Sequence, residues 1–399
     1  MIAPGRLRQH LKEIERQGLY RRRRVLEGPQ GAVIEVDGRK LVNFCSNDYL
    51  GLANHPEVIA AFCQAATDFG VGSGSAHLVC GHGRAHHRLE EELAAFTGRD
   101  RVLLFSTGYM ANLGVISALA GRGDTVFEDR LNHASLLDGA RLSGARLRRY
   151  RHRDLTELEA MIKESRPDRT LIASDGVFSM EGDLAPVDEL ACLARRLGCW
   201  LMIDDAHGVG VLGARGAGLL EQQGIRQAEA PILVGTLGKA LGVFGAFVAG
   251  SEELIECLIQ QARTYVFTTA LPPAVAEATR VSLALVVKEG WRRDRLAHLV
   301  RHFRTGARTR GLQLMDSPTP VQPLVIGANE LTVMASEKLR EAGFLVTAIR
   351  PPTVPAGTAR LRVTLTAMHD EEQLDRLLDA LADILARHVF DTPPVVVTG

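Results

Sequence analysis

Short apolar runs alternate with longer segments of helical periodicity from about residue 55 to residue 265. The runs that predict strands are 101–105, 124–128, 171–174, 200–204, 231–236 and 244–249. The segments that predict helices are 56–69, 84–97, 109–120, 133–142, 154–165 and 187–197. Continuous apolar strands between amphipathic helices are typical of a mostly parallel sheet that is covered on both faces. The pattern therefore predicts an α/β fold for this region.

The two ends of the chain have a different pattern. Residues 6–24 have the spacing of a short amphipathic helix, and Asp37-Gly38 marks the turn of a hairpin over 33–44. A long helical stretch follows residue 272, and strands near 321–326, 344–349 and 360–365 precede a last helix, 370–388. We therefore expect an N-terminal arm (1–50), a large domain (51–285), a smaller α+β domain (286–390) and a tail (391–399).

Composition excludes several classes of protein. The 47 basic residues equal the 47 acidic residues, so no overall field favours nucleic acid or an anionic membrane. Six cysteines are scattered without a Cys-x-x-Cys pair, which suits a reducing compartment better than a disulfide framework. No apolar run approaches the roughly 20 residues of a membrane span, and the N-terminus has no signal-peptide apolar region. We expect a cytoplasmic protein that binds neither nucleic acid nor membrane.

Lys239 is the reactive side chain of a glycine-rich loop between two apolar runs. Glycines stand at 235, 238, 242 and 245. A lysine at the mouth of two buried strands is desolvated, which makes its amine a usable nucleophile. A solvated loop lysine is the competing interpretation. A phosphate-binding P-loop is excluded because Ala240 follows the lysine and Leu233 stands where that motif needs glycine.

Asp204 ends the apolar run 200–204, and His207 follows within one turn. In parallel sheets ligands bind at the carboxyl ends of the strands, where Lys239 is also expected. A lone aspartate there is more often a turn residue. Together, a carboxylate, a histidine and an amine nucleophile match the needs of pyridoxal 5′-phosphate. The amine forms a Schiff base, and the carboxylate pairs with the protonated ring nitrogen.

The cofactor phosphate requires backbone N–H groups at the start of a helix. Residues 106–109 follow a predicted strand and open a predicted helix, and Thr236 adds a hydroxyl from the lysine loop. His133 opens another predicted helix. It could stack on a cofactor ring, and a helix-capping role is equally compatible with the local sequence.

Two other motifs do not predict sites. The glycine-rich segment 70–75 lacks the Gly-x-Gly-x-x-Gly dinucleotide pattern, because His77 stands at the third glycine position. His77, His82, His86 and His87 lack a persuasive acidic partner at ligand spacing, and His-Glu-x-x-His is absent. We predict no metal site.

Arginines mark two further candidate sites. Arg350 precedes a proline-rich loop, 351–357, and an arginine held there suits a bidentate grip on a carboxylate. A structural salt bridge is the alternative. Four arginines run from 21 to 24, where they are interpreted either as a solvated helix end or as one anion-binding residue among four.

The chain resembles the α-oxoamine synthases, pyridoxal-phosphate enzymes of fold type I. The resemblance covers about residues 10–388 and is carried by Asn-Asp-Tyr-Leu-Gly-Leu at 47–52, His-Ala-Ser at 133–135, Asp-Asp-Ala-His-Gly at 204–208 and Gly-Thr-Leu-Gly-Lys at 235–239. It implies a large domain with a mostly parallel seven-stranded sheet, a smaller α+β C-terminal domain, an N-terminal arm, and a homodimer with active sites at the subunit interface.

The resemblance also implies roles for individual residues. Lys239, His133, Asp204 and His207 would be catalytic, with His133 stacked on the ring and His207 at its 3-hydroxyl. The residues implied in cofactor binding are Gly108, Tyr109, Ser179, Asp204, His207, Thr236, Lys239, and Thr268 or Thr269 toward the neighbouring subunit's phosphate. The residues implied in substrate binding are Arg21, Asn47, His133, Arg350 and Thr353. Which of the arginines 21–24 contacts substrate stays open.

The run 348–362 most resembles the members that condense L-alanine with a pimeloyl thioester in biotin synthesis. Three alternatives remain: a sister synthase using glycine and a shorter acyl-CoA, an aminotransferase of the same fold, and a non-catalytic subunit. Lys239 and the intact site argue against the last of these. The sequence does not distinguish coenzyme A from acyl-carrier protein as the thiol carrier, and it does not rank acyl chain lengths.

Overall fold

A computed structural model describes residues 4–165 and 169–388 of the 399-residue chain. The strands of these residues are β1 (Val33–Val36), β2 (Arg39–Asn43), β3 (Arg101–Phe105), β4 (Thr125–Asp129), β5 (Arg146–Tyr150), β6 (Thr170–Asp175), β7 (Trp200–Asp204), β8 (Ile232–Thr236), β9 (Ala246–Gly250), β10 (Val321–Gly327), β11 (Phe344–Leu345), β12 (Thr347–Ile349) and β13 (Ala359–Thr364). The tail expected at 391–399 lies outside the described residues.

The helices are α1 (Leu7–Arg16), α2 (Pro56–Phe69), α3 (Arg84–Thr97), α4 (Gly108–Leu119), α5 (Ala134–Ser143), α6 (Leu155–Ser165), α7 (Val187–Leu197), α8 (Leu219–Gln223), α9 (Glu252–Gln261), α10 (Arg263–Val266), α11 (Pro273–Lys288), α12 (Trp291–Thr309), α13 (Asn329–Glu341) and α14 (Glu371–His388). Single turns of 3₁₀ and π-helix occur at Pro4–Arg6 and His77–Gly81. None of the helices in this part of the chain is both long and apolar enough to cross a membrane.

The structure divides into two compact units. The first contains residues 4–47, the short segment 180–182 and residues 295–388. The second contains residues 48–165, 169–179 and 183–294. The N-terminal segment, predicted to be a separate arm, therefore groups with the C-terminal residues.

The second unit is built on a seven-stranded sheet, which confirms the predicted α/β fold. Its order is β3-β9-β8-β7-β6-β4-β5, and only β9 runs antiparallel to its neighbours. β4 and β9 are buried along their whole length, as expected for strands covered on both faces. The carboxyl ends of β4, β6, β7 and β8 therefore meet at one edge of this sheet.

β5 is the one strand of this sheet that the apolar pattern does not predict. Its sequence is Arg-Leu-Arg-Arg-Tyr, and only Tyr150 is buried. β5 pairs with β4 alone and so forms an edge of the sheet. Charged side chains on an edge strand discourage pairing with another chain, which accounts for the absence of an apolar signal.

The first unit contains two small sheets, with orders β1-β2-β11 and β10-β13-β12. The predicted hairpin turn is confirmed, since Asp37 and Gly38 have φ values of 49° and 74°. The N-terminal helix is shorter than its pattern predicts. α1 ends at Arg16, Gly18 adopts a left-handed φ of 65°, and residues 21–24 lie beyond the helix. The interpretation of these arginines as a helix end is therefore wrong.

Candidate active site

A cavity of about 200 Å³ opens at the carboxyl edge of the seven-stranded sheet. It brings together eight residues that the sequence predicts for one site. These are Gly108, Tyr109, His133, Ser179, Asp204, His207, Thr236 and Lys239. Ser135, Asp175, Val177 and Ala206 complete the lining. All of these residues belong to the second unit.

Lys239 lies in the tight connection between the antiparallel strands β8 and β9. The N–H of Leu237 donates to the Gly245 carbonyl oxygen at 2.9 Å, which closes the loop. Gly242 has a φ of 67°, and a Cβ atom there would lie 2.3 Å from the backbone nitrogen of Ala53. A side chain at Gly235 would meet the Phe247 ring at 2.4 Å. Glycine is required at both positions because neighbouring atoms fill the space.

Asp204 is buried, with 7% of its surface exposed, at the end of β7. Its Oδ1 accepts the Ala206 N–H at 3.0 Å, and its Oδ2 accepts the Asn112 side-chain N–H at 2.6 Å. These two donors fix the plane of the carboxyl group. A carboxylate held in this way can pair with a cationic ring nitrogen in the cavity.

Two further buried carboxyl groups flank Asp204. Burial raises the pKa of Asp205 to about 8, and the nearby charge of Asp204 adds to that shift. Burial and Asp204 also raise the pKa of Asp175 well above its usual range. Like charges crowded in a poorly solvated site cannot all ionise, which is why the charge of Asp204 adds to the raised pKa of both neighbours.

The two histidines of the cavity are each oriented by a hydrogen-bond partner. Nδ1 of His207 lies 2.6 Å from the Tyr49 hydroxyl. His133 precedes α5, and its Nδ1 lies 2.8 Å from the Ser135 hydroxyl. The backbone N–H of His133 donates to Asp175 Oδ2 at 2.9 Å. Desolvation lowers the pKa of His133, which keeps its ring neutral at pH 7.

The start of α4 forms the polar end of the cavity. Thr107 caps the helix by accepting the Met110 N–H at 3.1 Å. The remaining N–H groups of the first turn, at Gly108 and Tyr109, suit an anion because a helix N-terminus carries partial positive charge. Thr236 Oγ1 donates to the Gly245 carbonyl oxygen at 3.1 Å, which holds its hydroxyl in the lysine loop.

This arrangement fits pyridoxal 5′-phosphate. The cavity offers an amine on Lys239, a buried carboxylate on Asp204 and a helix N-terminus for a phosphate. A neutral imidazole on His133 completes the set. Each group of the cofactor has a chemical counterpart among the lining residues.

Comparison with known proteins agrees with this geometry. The profile of the family described as aminotransferase class I and II matches residues 39–381, which is most of the chain. A relative from Methylococcus capsulatus, 8-amino-7-oxononanoate synthase, is 67% identical over 94% of this chain and 96% of its own length. The chain belongs to the α-oxoamine synthase family.

Solved structures of other α-oxoamine synthases have the same fold. A serine palmitoyltransferase variant from S. paucimobilis, with PLP and myriocin bound, superposes with a TM-score of 0.91. It is 30% identical and the match covers 97% of this chain and 98% of that chain. An 8-amino-7-oxononanoate synthase from Francisella tularensis gives a TM-score of 0.78 at 31% identity, covering 87% and 98% of the two chains.

The remaining sequence-predicted residues of this α-oxoamine synthase do not line the cavity. Thr268 is half-buried and donates to the Thr264 carbonyl oxygen at 2.5 Å, and Thr269 is exposed. The contact of Thr268 or Thr269 with the cofactor phosphate of a neighbouring subunit therefore stays a prediction. The predicted substrate-binding residues Arg21, Asn47, Arg350 and Thr353 belong to the first unit.

Arg350 is engaged by the N-terminal segment of the first unit. Its guanidinium donates to the carbonyl oxygens of Gly18 and Tyr20, and its own carbonyl accepts the Thr353 N–H at 3.1 Å. Desolvation lowers the pKa of Arg350, and nearby Arg21 adds to that effect. Among the described residues Arg350 forms no salt bridge, and the partners of its guanidinium are backbone carbonyls.

Sequence reasoning misses residues that act through another side chain. Tyr49, Asn112, Ser135 and Asp175 orient the histidines and Asp204, but each lies far along the chain from its partner or has an unremarkable local context. Asn112 carries a usable signal, because it is a polar residue within the apolar segment 109–120 and is fully buried.

His152 contacts two carboxylates, one at the end of β4 and one in the loop that follows Ser179. Its Nδ1 lies 3.0 Å from Asp129 Oδ1 and its Nε2 lies 2.8 Å from Asp183 Oδ2. Burial alone would lower the pKa of His152, but hydrogen bonds to both carboxylates outweigh it and raise the pKa to about 9. The imidazolium form therefore stabilises the fold.

We expect His152→Gln to destabilise the protein more at pH 6.5 than at pH 10. The folded-state pKa is raised, so the stabilisation is complete below about pH 6.5 and is lost as pH rises through about 9. A shift of this size corresponds to at most about 3 kcal/mol. Urea unfolding of both proteins at the two pH values measures the difference. An equal loss at both values would show that His152 does not act through its charge.

Proposed function

We propose that this chain condenses L-alanine with a pimeloyl thioester, supplied as pimeloyl-CoA or pimeloyl-acyl carrier protein, in biotin biosynthesis. The products are 8-amino-7-oxononanoate, carbon dioxide and free thiol. The observation that carries this proposal is the 67% identity to an 8-amino-7-oxononanoate synthase over nearly the whole of both chains. The cavity that joins Lys239, Asp204, His207 and His133 supplies the groups that a pyridoxal-phosphate-dependent acyltransferase needs.

Pyridoxal 5′-phosphate, when bound, supplies an electron-withdrawing ring that stabilises negative charge on the amino-acid carbon. Lys239 Nζ is the base that takes the proton from the alanine Cα and later returns a proton to the product. Asp204 keeps a proton on the ring nitrogen, because a charge pair at about 4 Å is worth roughly 4 kcal/mol at an effective dielectric near 20.

His133 has two tasks that its hydrogen bonds prepare. Its ring lies at the cavity wall, where it can stack flat on an aromatic ring. The hydroxyl of Ser135 orients the ring, and the carboxyl group of Asp175 holds the backbone N–H of His133. His133 can then hydrogen-bond the oxygen that becomes negative when the thioester carbonyl is attacked. His207, held by Tyr49, is placed for the 3-hydroxyl of the ring.

Two sets of donors would hold the phosphate. The N–H groups of Gly108 and Tyr109 would donate from the start of α4, and the hydroxyls of Ser179 and Thr236 line the same cavity. Thr268 or Thr269 of a second subunit is proposed to add a further donor. This part of the proposal requires a homodimer.

A homodimer is supported by apolar side chains on the surface of the second unit. Val71, Val79 and Phe267 are 85%, 76% and 68% exposed. Exposed large apolar side chains such as these are candidates for a surface that a second subunit covers. We also propose that the enzyme acts in the cytoplasm, since its six scattered cysteines suit a reducing compartment.

The alanine carboxylate has two candidate arginines in the first unit. Arg350, proposed together with Asn47 from the family resemblance, already donates to backbone carbonyls. Arg362 is buried, with 8% of its surface exposed, and its Nη2 donates to Asn47 Oδ1 at 3.1 Å. Among the described residues no acceptor lies within hydrogen-bond distance of Arg362 Nε. A buried donor without an acceptor favours Arg362 for a bidentate grip on an anion.

We expect Arg362→Lys to raise KM for alanine by at least about tenfold, because lysine cannot form the bidentate pair. Arg350→Lys is the matched control, and we expect it to raise the same KM by less. Initial rates at varied alanine and saturating acyl thioester measure both. The reverse order would assign the carboxylate to Arg350 and leave Arg362 with a structural role.

Thiol release tests the proposed reaction. Purified enzyme is supplied with alanine and pimeloyl-CoA, and in parallel with glycine and acetyl-CoA or succinyl-CoA. We expect rapid thiol release with the first pair alone. Faster release with glycine would instead identify a sister synthase, and conversion of the cofactor by alanine without thiol release would identify an aminotransferase. A further reaction with pimeloyl-acyl carrier protein distinguishes the two thiol carriers.

A further inference from the structure

We propose that His82, His87 and Glu90 form a binding site for a divalent transition metal ion, with Zn²⁺ as the probe of choice. One ring nitrogen from each histidine and one carboxylate oxygen of Glu90 all lie within 4.8 Å of one another. Two imidazoles and one carboxylate form a common zinc ligand set that leaves a fourth position open. None of these residues lines the cofactor cavity.

The backbone brings the three side chains together at the start of α3. His87 and Glu90 are three residues apart in the helix and so share one face. His82 precedes the helix, and its Nε2 lies 3.9 Å from Glu90 Oε2. The sequence was interpreted as having no metal site because no acidic partner at ligand spacing was persuasive and His-Glu-x-x-His is absent. Glu90 supplies the acid in the order His-x-x-Glu.

Two of the three ligands, Glu90 and His82, are oriented by a second group. Glu90 Oε1 accepts the Leu104 N–H from β3 at 3.1 Å, which leaves Oε2 for a metal. His82 Nδ1 lies 3.0 Å from His77 Nδ1, so one of these nitrogens donates to the other. When His82 is the donor, the lone pair of its Nε2 faces Glu90. Ligand histidines are usually held through their other ring nitrogen in this way.

The competing interpretation is a hydrogen bond between His82 and Glu90. A distance of 3.9 Å between Nε2 and Oε2 is too long for one. Ligand atoms around a tetrahedral zinc ion are about 3.4 Å apart, since each bond is about 2.0–2.2 Å long. The ligand atoms, which lie up to 4.8 Å apart, must therefore approach one another by up to about 1.4 Å. The His87 side chain is 62% exposed and has the freedom to supply this movement.

The surroundings favour a cation. Glu91 lies 3.5 Å from His87 Nε2, and both Glu91 and Asp100 line the same cavity of about 290 Å³. Arg101, also at this cavity, is already paired with Glu256 at 2.6 Å. The partial positive charge at the start of α3 opposes a cation only weakly, because side chains at a surface helix end are well solvated. The cavity also has room for the water molecule that would complete the coordination.

His86 is not part of the site. Its Nδ1 accepts the Gly83 N–H at 3.0 Å, and its Nε2 lies 2.6 Å from the Leu271 carbonyl oxygen. Both ring nitrogens are therefore used by the backbone. The cluster thus separates into structural histidines, 77 and 86, and ligand histidines, 82 and 87.

Zinc titration of the full chain, freed of any affinity tag and with cofactor bound, tests the site. Isothermal calorimetry compares the wild type with His87→Ala and Glu90→Gln. A variant with both His298→Ala and His302→Ala removes a separate histidine pair and serves as the matched control. We expect one Zn²⁺ per chain in the wild type and the control, with affinity at least about tenfold weaker in the other two.

Thermal unfolding supplies a second measurement that does not depend on activity. Zn²⁺ is expected to raise the Tm of the wild type and of the control but not that of His87→Ala, whose replaced side chain is exposed and leaves the fold intact. Equal zinc affinity in all four proteins would overturn the proposal. Loss of binding on Cys80→Ser with His87→Ala unaffected would also overturn it, because the ligand would then be the exposed thiol of Cys80.

Discussion

Lys239→Ala is expected to lower kcat by about three orders of magnitude or more. The substitution removes the amine that takes and returns the substrate proton, and a general base of this kind contributes about 10²- to 10⁴-fold. It also removes the nucleophile that attaches the cofactor to the chain. Thiol release with alanine and pimeloyl-CoA measures kcat. Borohydride treatment followed by denaturation measures how much cofactor remains covalently attached.

Two control variants separate the chemistry of Lys239 from its charge and from general damage. Lys239→Arg keeps a positive charge but provides no amine that can act as a base at neutral pH, so we expect a similar loss. Lys288→Ala removes an exposed lysine at the end of α11 and should leave kcat and attached cofactor unchanged. Turnover by Lys239→Ala within tenfold of the wild type would refute the assignment.

Asp204→Asn is expected to lower kcat by about 10³-fold at saturating cofactor. The variant loses the negative charge, and roughly 4 kcal/mol of charge pairing corresponds to about three orders of magnitude. The fold should tolerate the change. Asn112 Oδ1 has no hydrogen-bond partner among the described residues, so its amide can turn over and accept the new side-chain N–H.

The neighbouring aspartate provides a matched control for this charge. Asp205→Asn is also isosteric, but its pKa of about 8 means that the carboxyl group is mostly protonated at pH 7. The substitution therefore removes little charge, and we expect kcat to stay within about threefold of the wild type. Equal losses in both variants would show that Asp204 acts through packing rather than through charge.

The fold of the second unit could be predicted from the sequence because most of its strands contain continuous apolar runs. β3 and β7 match their predicted bounds, and α2, α3 and α7 do as well. Some elements were not predicted because they lack an apolar pattern. Others carry a helix start signal that was overlooked. β5 is a basic edge strand. α9 did have a helix start signal, because Ser251 caps it by accepting the Leu254 N–H at 3.2 Å.

The reacting groups of the site could be predicted because parallel strands deliver them to one edge. Asp204 and Lys239 each follow an apolar strand, and those strands are neighbours in the sheet. The orienting groups could not be predicted in this way. Tyr49 lies 158 positions from His207, and Asn112 lies 92 positions from Asp204. No periodic pattern encodes a contact of that range, since folding alone determines which distant side chains meet.

The packed glycines around Lys239 limit how this enzyme can be engineered. A mutant library that varies positions 235 and 242 would consist mainly of misfolded proteins, because every side chain there collides with Phe247 or with the backbone of Ala53. Diversity is better placed at Tyr109, which is 42% exposed at the rim of the cavity. Variation of that side chain leaves the loop that presents the amine undisturbed.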